Sequence, residues 1–285
     1  MSFDTKLAEY PRILIGQFPT PLEPLPRLTQ VLGGPHLWVK RDDTVGPAMG
    51  GSKTRQLEFL FGEAQAKRAQ IVATFGGLQS NFARQMCAVA RSLGVEPHCF
   101  YFARRPTRLE GNLLLAQLLG AHLHFIPFGG GSSATMTPEQ AARLVRWIVR
   151  LTPACWGRRV YFMPVGGHTP LGCLGYVLAA MEIENQLRAH GIERATIVTA
   201  SGTGATLAGL LAGFHLLRSR HALLGTTSAS CGARSRLPSQ RLRRRPAHCW
   251  ANPITFRPGT CPSSREFTSE KGTHSSRRRR SRQVG

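Results

Sequence analysis

A single lysine stands where a pair of glycines leads into a segment of helical period. Gly50, Gly51 and Ser52 precede Lys53, in a chain that uses only five lysines against 32 arginines. An arginine in a protein neither loses its proton nor forms an imine, whereas a lysine amine does both. The choice of lysine at this position therefore indicates amine chemistry.

Two further loops place glycines and small polar residues between a predicted strand and a predicted helix. Gly76–Asn81 follows the apolar run Ile71–Phe75, and Ser201–Thr206 follows Ala195–Ala200. Free backbone N–H groups at a helix start bind anions. Ser201–Thr206 therefore predicts a nest for a single phosphate. The other loop fits either a carboxylate-binding site or an ordinary helix N-cap at Ser80.

Three phosphate-binding chemistries compete for these residues. A P-loop needs the lysine directly after its second glycine, but Ser52 intervenes before Lys53. A dinucleotide site needs a third glycine, where Leu207 stands, and a later acidic residue that positions 221–230 lack. Pyridoxal phosphate needs one reactive lysine and a phosphate nest elsewhere in the fold. Lys53 and Ser201–Thr206 supply both.

The elements that must position these loops alternate regularly from about residue 36 to residue 230. The helical period is clearest in residues 57–64 and 86–93. Pro138 is predicted to lie in the first turn of a helix, and Gly191 is predicted to follow the end of another helix. Strand–helix alternation predicts an α/β fold with a mostly parallel sheet covered by helices. The predicted strands are His36–Lys40, Ile71–Phe75, His98–Phe102, His122–Phe128, Val160–Val165, Ala195–Ala200 and Ala222–Ser228.

Composition excludes several classes of protein. The 285 residues are 42% hydrophobic, and no stretch approaches the roughly 18 apolar residues of a membrane span. The most apolar run, Ala205–Leu217, is interpreted as a buried helix. No signal peptide is visible, and seven cysteines without a CxxC pair argue against a disulfide framework. We expect a cytoplasmic protein with reduced cysteines.

His122 and His124 form an HxH pair on one face of a predicted strand. No third ligand is apparent from the sequence, so no metal site is predicted.

The positive charge is concentrated at the C-terminus. Residues 231–285 carry 13 arginines and one lysine against Glu266 and Glu270, a net +12 of the chain's +22. Few aliphatic residues occur there, so the segment is predicted to be disordered. Arg277–Arg280 would contact nucleic acid only nonspecifically, because few aromatic residues are present to stack on bases. The alternative is that this stretch is not native coding sequence, as after a frameshift.

Several stretches in residues 10–230 together resemble a known family. They are Phe18–Leu25, Lys40–Asp43 continuing through Gly50–Arg55, Leu78–Asn81, Gly166–Tyr176 and Ser201–Thr206. In this order they resemble the D-cysteine desulfhydrase / 1-aminocyclopropane-1-carboxylate deaminase family of fold-type II pyridoxal-phosphate enzymes. Ser52 stands where the family usually has asparagine, and Phe82 where it usually has a polar residue.

The resemblance implies a two-domain α/β architecture of fold-type II, similar to the tryptophan synthase β subunit and incomplete at the C-terminus. Residues 1–49 and 160–230 would form part of a larger cofactor-binding lobe. Residues 50–159 would form a smaller α/β lobe, with residues 231–285 as a tail. The cofactor would lie between the lobes, in a homodimer with no membrane association.

The resemblance also assigns roles. Lys53 would form the imine with pyridoxal phosphate, and Lys53 and Ser80 would be catalytic. The cofactor would be held by Lys53, Asn81, Gly202, Thr203, Gly204, Ala205 and Thr206, and the small amino-acid substrate by Gln79, Ser80 and Asn81.

The implied activity is that of a lyase or deaminase, with D-cysteine converted to pyruvate, ammonia and hydrogen sulfide. The family's C-terminal part supplies a tyrosine near the cofactor ring and the partner of the pyridine nitrogen. That C-terminal part has no counterpart in this chain after about residue 230. Three alternatives therefore stay open: a 1-aminocyclopropane-1-carboxylate deaminase, a truncated inactive relative that binds the cofactor with little turnover, and a basic nucleic-acid-associated protein.

Overall fold

The computed structural model describes residue 7 and residues 9–127 and 138–227. Within these residues strands and helices alternate as the sequence predicts. The strands are β1 (Leu22–Pro24), β2 (Trp38–Lys40), β3 (Ile71–Gly76), β4 (Glu96–Tyr101), β5 (His122–Phe125), β6 (Val160–Met163), β7 (Thr196–Ser201) and β8 (Ala222–Thr227). The α-helices are α1 (Pro26–Leu32), α2 (Lys53–Ala66), α3 (Asn81–Ser92), α4 (Gly111–Leu118), α5 (Pro138–Leu151), α6 (Pro170–Ala189) and α7 (Ala205–Leu216).

A four-stranded sheet forms the centre of the first half of the chain. Its order is β5-β4-β3-β6, and every pair is parallel. Strand β3 is buried on both faces, as expected for a parallel sheet covered by helices. One face packs on α2 and α3 through residues such as Leu57 and Met86. The other face packs on α5 through Val145 and Val149. The predicted mostly parallel α/β fold is confirmed.

Two smaller sheets flank this core. Strands β7 and β8 pair in parallel, and α6 packs against α7 through a cluster that includes Tyr176, Leu210 and Phe214. Strands β1 and β2 form a short antiparallel ladder in which Leu22 pairs with Lys40. The sequence did not predict β1, because it is three residues long and ends in Pro24, a residue typical of sheet edges.

The division into two lobes and the C-terminal tail both stay predictions. Strand β6 begins at Val160, where the larger lobe was predicted to resume, yet it pairs with β3 in the four-stranded sheet. The tail predicted from residue 231 onward lies outside the described residues.

None of the helices in the described part of the chain has the length and apolar character of a membrane span.

Candidate active site

Lys53 is the first residue of α2, and the glycines before it adopt backbone conformations that other residues rarely reach. Gly50 has φ +62° and Gly51 φ +131°. A Cβ atom on Gly50 would lie 2.5 Å from the carbonyl oxygen of Asp43. Arg84 and Gln85 on α3 each donate a hydrogen bond of 2.9 Å to the Gly50 carbonyl oxygen. The loop that delivers Lys53 is therefore fixed against α3.

The residue Lys53 is half-buried, and its amine has no ion pair with a carboxylate among the described residues. Burial lowers the pKa of Lys53 to about 8, although the nearby Cys173 opposes this shift. The other two described lysines differ, because Lys40 pairs with Glu182 and Lys67 with Glu63. A partly neutral amine at the N-terminus of a helix is suited to act as a nucleophile and a base.

Helix α2 is anchored by a buried ion-pair network two residues beyond Lys53. Arg55 Nη2 lies 2.8 Å from Asp42 Oδ1, and Arg55 Nη1 lies 2.9 Å from Glu182 Oε2 on α6. The hydroxyl of Tyr176 also donates to Asp42 Oδ2 at 3.0 Å. Burial would raise the pKa of Asp42, but the hydrogen bonds from Arg55 lower it further, so the carboxyl stays ionised below its usual range. No sequence pattern pointed to this network.

Ser80 caps α3, which is the ordinary interpretation that the sequence left open. Its Oγ atom accepts a hydrogen bond of 3.2 Å from the backbone N–H of Ala83. The Ser80 hydroxyl hydrogen remains able to donate, because the cap uses the oxygen only as an acceptor. An N-cap at this place and a carboxylate-binding role for Ser80 are therefore compatible.

Asn112 organises the loop that contains Ser80, a role that nothing in the sequence indicated. Its Nδ2 atom donates to the carbonyl oxygen of Gln79 at 2.9 Å and to Asn81 Oδ1 at 2.8 Å. The side-chain amide of Gln79 is bonded to the Glu110 carbonyl oxygen and to the backbone N–H of Asn112. Since Asn81 uses its Oδ1 atom to accept this bond, its Nδ2 group remains available as a donor. No sequence pattern links residues so far apart along the chain.

The predicted phosphate nest lies between the end of β7 and the start of α7. Gly204 is the residue before the helix, with φ +87°. The hydroxyl oxygen of Thr203 is buried and has no hydrogen-bond partner among the described residues. A Cβ atom on Gly202 would meet nothing within 4 Å. An unpartnered buried hydroxyl beside open space at a helix start is suited to an anion.

The short 3-10 turn Val165–Gly167 connects the three loops. A Cβ atom on Gly166 would lie 2.8 Å from Thr203 Oγ1. One on Gly167 would lie 2.8 Å from the ring of Phe82 on α3 and 3.2 Å from Gln56 Oε1 on α2. Only residues without side chains allow this approach. The helices that begin at Lys53 and Asn81 and the loop of Thr203 therefore converge on one turn.

Comparison with known proteins identifies the class to which this arrangement belongs. The family model described as "Pyridoxal-phosphate dependent enzyme" matches residues 13–251. A solved structure of an ACC deaminase homologue is 32% identical, with a TM-score of 0.66, and the match covers 78% of this chain and 64% of that one. A threonine deaminase structure, 21% identical with a TM-score of 0.53, shares the fold. The described residues have the fold-type II α/β architecture.

The chain belongs to the family of pyridoxal-phosphate dependent enzymes. The D-cysteine desulfhydrase of Serratia proteamaculans is 38% identical over 234 residues, which are 80% of this chain and 67% of that protein. The D-cysteine desulfhydrase of Klebsiella pneumoniae subsp. pneumoniae is 39% identical over 228 residues, 78% of this chain and 65% of that protein. The chain thus spans about two thirds of the length of these curated relatives.

The residues present fit the cofactor of this family. Pyridoxal phosphate offers an aldehyde, which a lysine amine attacks, and a phosphate, which needs hydrogen-bond donors. Lys53 supplies an amine without a carboxylate partner among the described residues, and Thr203 supplies a buried hydroxyl without a hydrogen bond there. Both are groups that an aldehyde and a phosphate would satisfy.

Proposed function

We propose that this chain uses pyridoxal phosphate to eliminate a β-substituent from a small amino acid, with D-cysteine as the substrate. The observation that carries the proposal is the amine of the half-buried Lys53, which has a lowered pKa and no carboxylate partner among the described residues. A lysine in this state supports covalent attachment of a carbonyl cofactor.

The proposed roles follow from the donors and acceptors that each residue has left. Lys53 would hold the cofactor through its aldehyde group, and the Lys53 amine would serve as the base for the substrate Cα proton. The Ser80 hydroxyl and the Asn81 Nδ2 group donate to the substrate carboxylate or to the phenolic oxygen of the cofactor. Gln79 is proposed to position Asn112 through its side-chain hydrogen bonds, and its second Nε2 hydrogen stays available for the predicted contact with the substrate. Pyridoxal phosphate, when bound, supplies the electron sink that acidifies the Cα proton.

The phosphate is assigned to the Ser201–Thr206 loop. The Thr203 hydroxyl and the backbone N–H groups of residues 202–206 are the proposed donors, with the N-terminus of α7 adding its positive dipole end. The hydroxyl of Thr206, in the first turn of that helix, is a further proposed donor.

D-cysteine is proposed because two relatives at 38% and 39% identity carry the name D-cysteine desulfhydrase. Loss of the thiol and addition of water would convert D-cysteine to pyruvate, ammonia and hydrogen sulfide. The second candidate substrate is 1-aminocyclopropane-1-carboxylate, which the similarity to the solved ACC deaminase homologue favours. Its ring has no β-thiol to lose, so hydrogen sulfide release separates the two activities.

The cofactor assignment is tested by trapping. The full chain is incubated with pyridoxal phosphate, reduced with borohydride and digested, and the labelled peptide is identified by mass spectrometry. We expect the label on Lys53, its loss in Lys53→Ala, and its retention in Lys67→Ala, which removes an exposed lysine paired with Glu63. Label on another lysine, or equal labelling of Lys53→Ala, would refute the assignment.

The substrate is tested on the same preparations. Pyruvate and hydrogen sulfide are measured with D-cysteine, L-cysteine and 1-aminocyclopropane-1-carboxylate. Release of both products from D-cysteine, abolished in Lys53→Ala, supports the proposal. A 2-oxo acid from the cyclopropane substrate alone favours the second candidate. Label on Lys53 without any turnover identifies an inactive relative and rejects the proposed activity.

A further inference from the structure

Three side chains with metal-binding atoms meet where β4 and β5 begin. Glu96 Oε1 lies 3.0 Å from His98 Nε2 and 2.9 Å from His122 Nε2. All three atoms lie within 4.8 Å of one another. His98 and His122 are Cα partners in the parallel ladder, and Glu96 precedes His98 by two residues on the same strand. The strand geometry therefore places all three on one face of the sheet.

We propose that Glu96, His98 and His122 bind a divalent transition-metal ion, and that Zn²⁺ is the ion they fit. A carboxylate oxygen and two imidazole nitrogens are typical Zn²⁺ ligands, with bonds of about 2.0–2.2 Å. Tetrahedral ligands on such bonds lie roughly 3.3–3.6 Å apart. The two distances from Glu96 Oε1 are a few tenths of an ångström shorter than this separation, and the two imidazole nitrogens lie within 4.8 Å of each other. Water would complete the coordination.

Thiol ligands are not part of the proposed set, because Cys155 Sγ lies near His98 Nδ1, at 3.8 Å, and is not among the three ligand atoms.

His124 and Arg158 surround the three ligands and orient two of them. His98 Nδ1 lies 3.0 Å from His124 Nε2. When His98 Nδ1–H donates to His124, the lone pair of His98 Nε2 faces Glu96 Oε1, and a cation between them removes the repulsion. Arg158 Nη1 lies 2.7 Å from Glu96 Oε2, which leaves Oε1 directed at the rings. Histidine ligands commonly have such an outer hydrogen bond.

The sequence singled out His122 and His124, but the structure assigns them different positions. His122 is one of the three ligands, and His124 lies behind His98. Glu96 and His98 were missed because they come from the neighbouring strand. His98, for example, precedes His124 by 26 residues along the chain. Only strand pairing reveals the third ligand.

The proposed ion lies away from the candidate active site. The loops of Lys53, Ser80 and Thr203 converge on the turn that follows β6, and the Ser80 loop follows the carboxyl end of β3. The three ligands stand at the amino ends of β4 and β5, which run parallel to β3. An ion there would tie the edge strand β5 to β4 rather than touch the cofactor. The proposal is thus independent of the proposed enzymatic activity.

The first test measures Zn²⁺ affinity of the full chain, freed of metal by chelation, in competition with a chromophoric chelator. His122→Ala removes a ligand whose side chain is 51% exposed, and Glu96→Gln keeps the shape of its side chain. We expect both variants to bind Zn²⁺ at least about 10-fold more weakly than the wild type. His36→Ala, which removes an exposed histidine before β2, should not change the affinity.

The chain contains ten histidines and seven cysteines, so the difference between wild type and variant is the readout, not total bound metal. Co²⁺ replaces Zn²⁺ in a second measurement. We expect visible d–d bands without the near-ultraviolet bands of thiolate ligation, and their loss in His122→Ala. Circular dichroism verifies that the variants fold. Equal Zn²⁺ affinity in wild type and folded His122→Ala, or a Co²⁺ spectrum unchanged by that substitution, would overturn the proposal.

Discussion

Asn112 controls the orientation of the amide of Asn81. Because Asn112 Nδ2 donates to Asn81 Oδ1 at 2.8 Å, Asn81 has its own Nδ2 left to donate. Arg84 Nη1 in turn donates to Asn112 Oδ1 at 3.0 Å and the same side chain also bonds the Gly50 carbonyl oxygen. One side chain on α3 therefore couples the loop before Lys53 to the loop of Asn81.

Replacing Asn112 with aspartate should loosen the cofactor. Asn112→Asp keeps the acceptor for Arg84 but loses the two Nδ2 donations. We expect pyridoxal phosphate to bind about 10-fold more weakly, the equivalent of one or two hydrogen bonds. Titration of cofactor fluorescence measures the Kd, with Asn185→Ala on the exposed face of α6 as the control. An unchanged Kd with a lowered Tm would assign Asn112 a structural role only.

The sequence singled out Lys53, Ser80 and Thr203 because each belongs to a local pattern of glycines, a strand end and a helix start, and their catalytic and binding roles stay predictions. Sequence reasoning could not locate Asn112 or Glu96, since their roles arise from contacts with residues on other elements. Strand β4 begins at Glu96, two residues before the start of the predicted strand at His98. A charged residue interrupts an apolar run in the sequence, yet its pairing with Arg158 and two histidines allows it to enter the sheet.

Helices α2 and α6 pack closely against each other at Gly175. A Cβ atom there would lie 2.1 Å from the carbonyl oxygen of Arg55 and 3.0 Å from the backbone nitrogen of Gln56. Neither backbone atom can move without shifting α2. The close packing of the two helices therefore helps to fix the helix that begins at Lys53.

Gly175→Ala should separate α2 from α6. We expect a loss of about 1–3 kcal/mol in the free energy of unfolding, the range for an added methyl group in a packed core. Urea denaturation measures it, and Gly34→Ala is the control, because a Cβ atom at Gly34 would meet nothing within 4 Å. If the two variants are equally stable, α2 and α6 are not in contact at this point.

Across the described fold, the ion-pair network of Arg55 connects α2, α6 and the N-terminal segment. Arg55 is 3% exposed, and hydrogen bonds lower the pKa of both Asp42 and Glu182 despite their burial. A carboxyl whose pKa is lower in the folded state stabilises the fold above its unfolded pKa. That stabilisation is lost as the pH falls below about 4 and through the folded pKa.

Arg55→Met should leave two buried carboxylates without their main partner. We expect a loss of about 3–5 kcal/mol in the free energy of unfolding at pH 7, and a difference from wild type that shrinks as the pH falls below about 4. Denaturation at a series of pH values measures both. Arg41→Met, which removes the exposed pairs with Glu23 and Asp43, should change little. A deficit independent of pH would show that Arg55 acts by packing alone.

The remaining expectations for the whole molecule stay predictions. These are the homodimer, the cytoplasmic location and nonspecific binding of nucleic acid by residues 231–285. The last rests only on the +12 charge of a segment outside the described residues.

The strand order β5-β4-β3-β6 also constrains how the chain is made. Ile71 pairs with Glu96 on one side and with Val160 on the other. As the ribosome extends the chain from its N-terminus, β4 and β5 emerge long before β6. One edge of the central strand β3 therefore stays unpaired until β6 has been synthesised. An open strand edge is a site for pairing with other chains, so the nascent protein is exposed to such pairing during this interval.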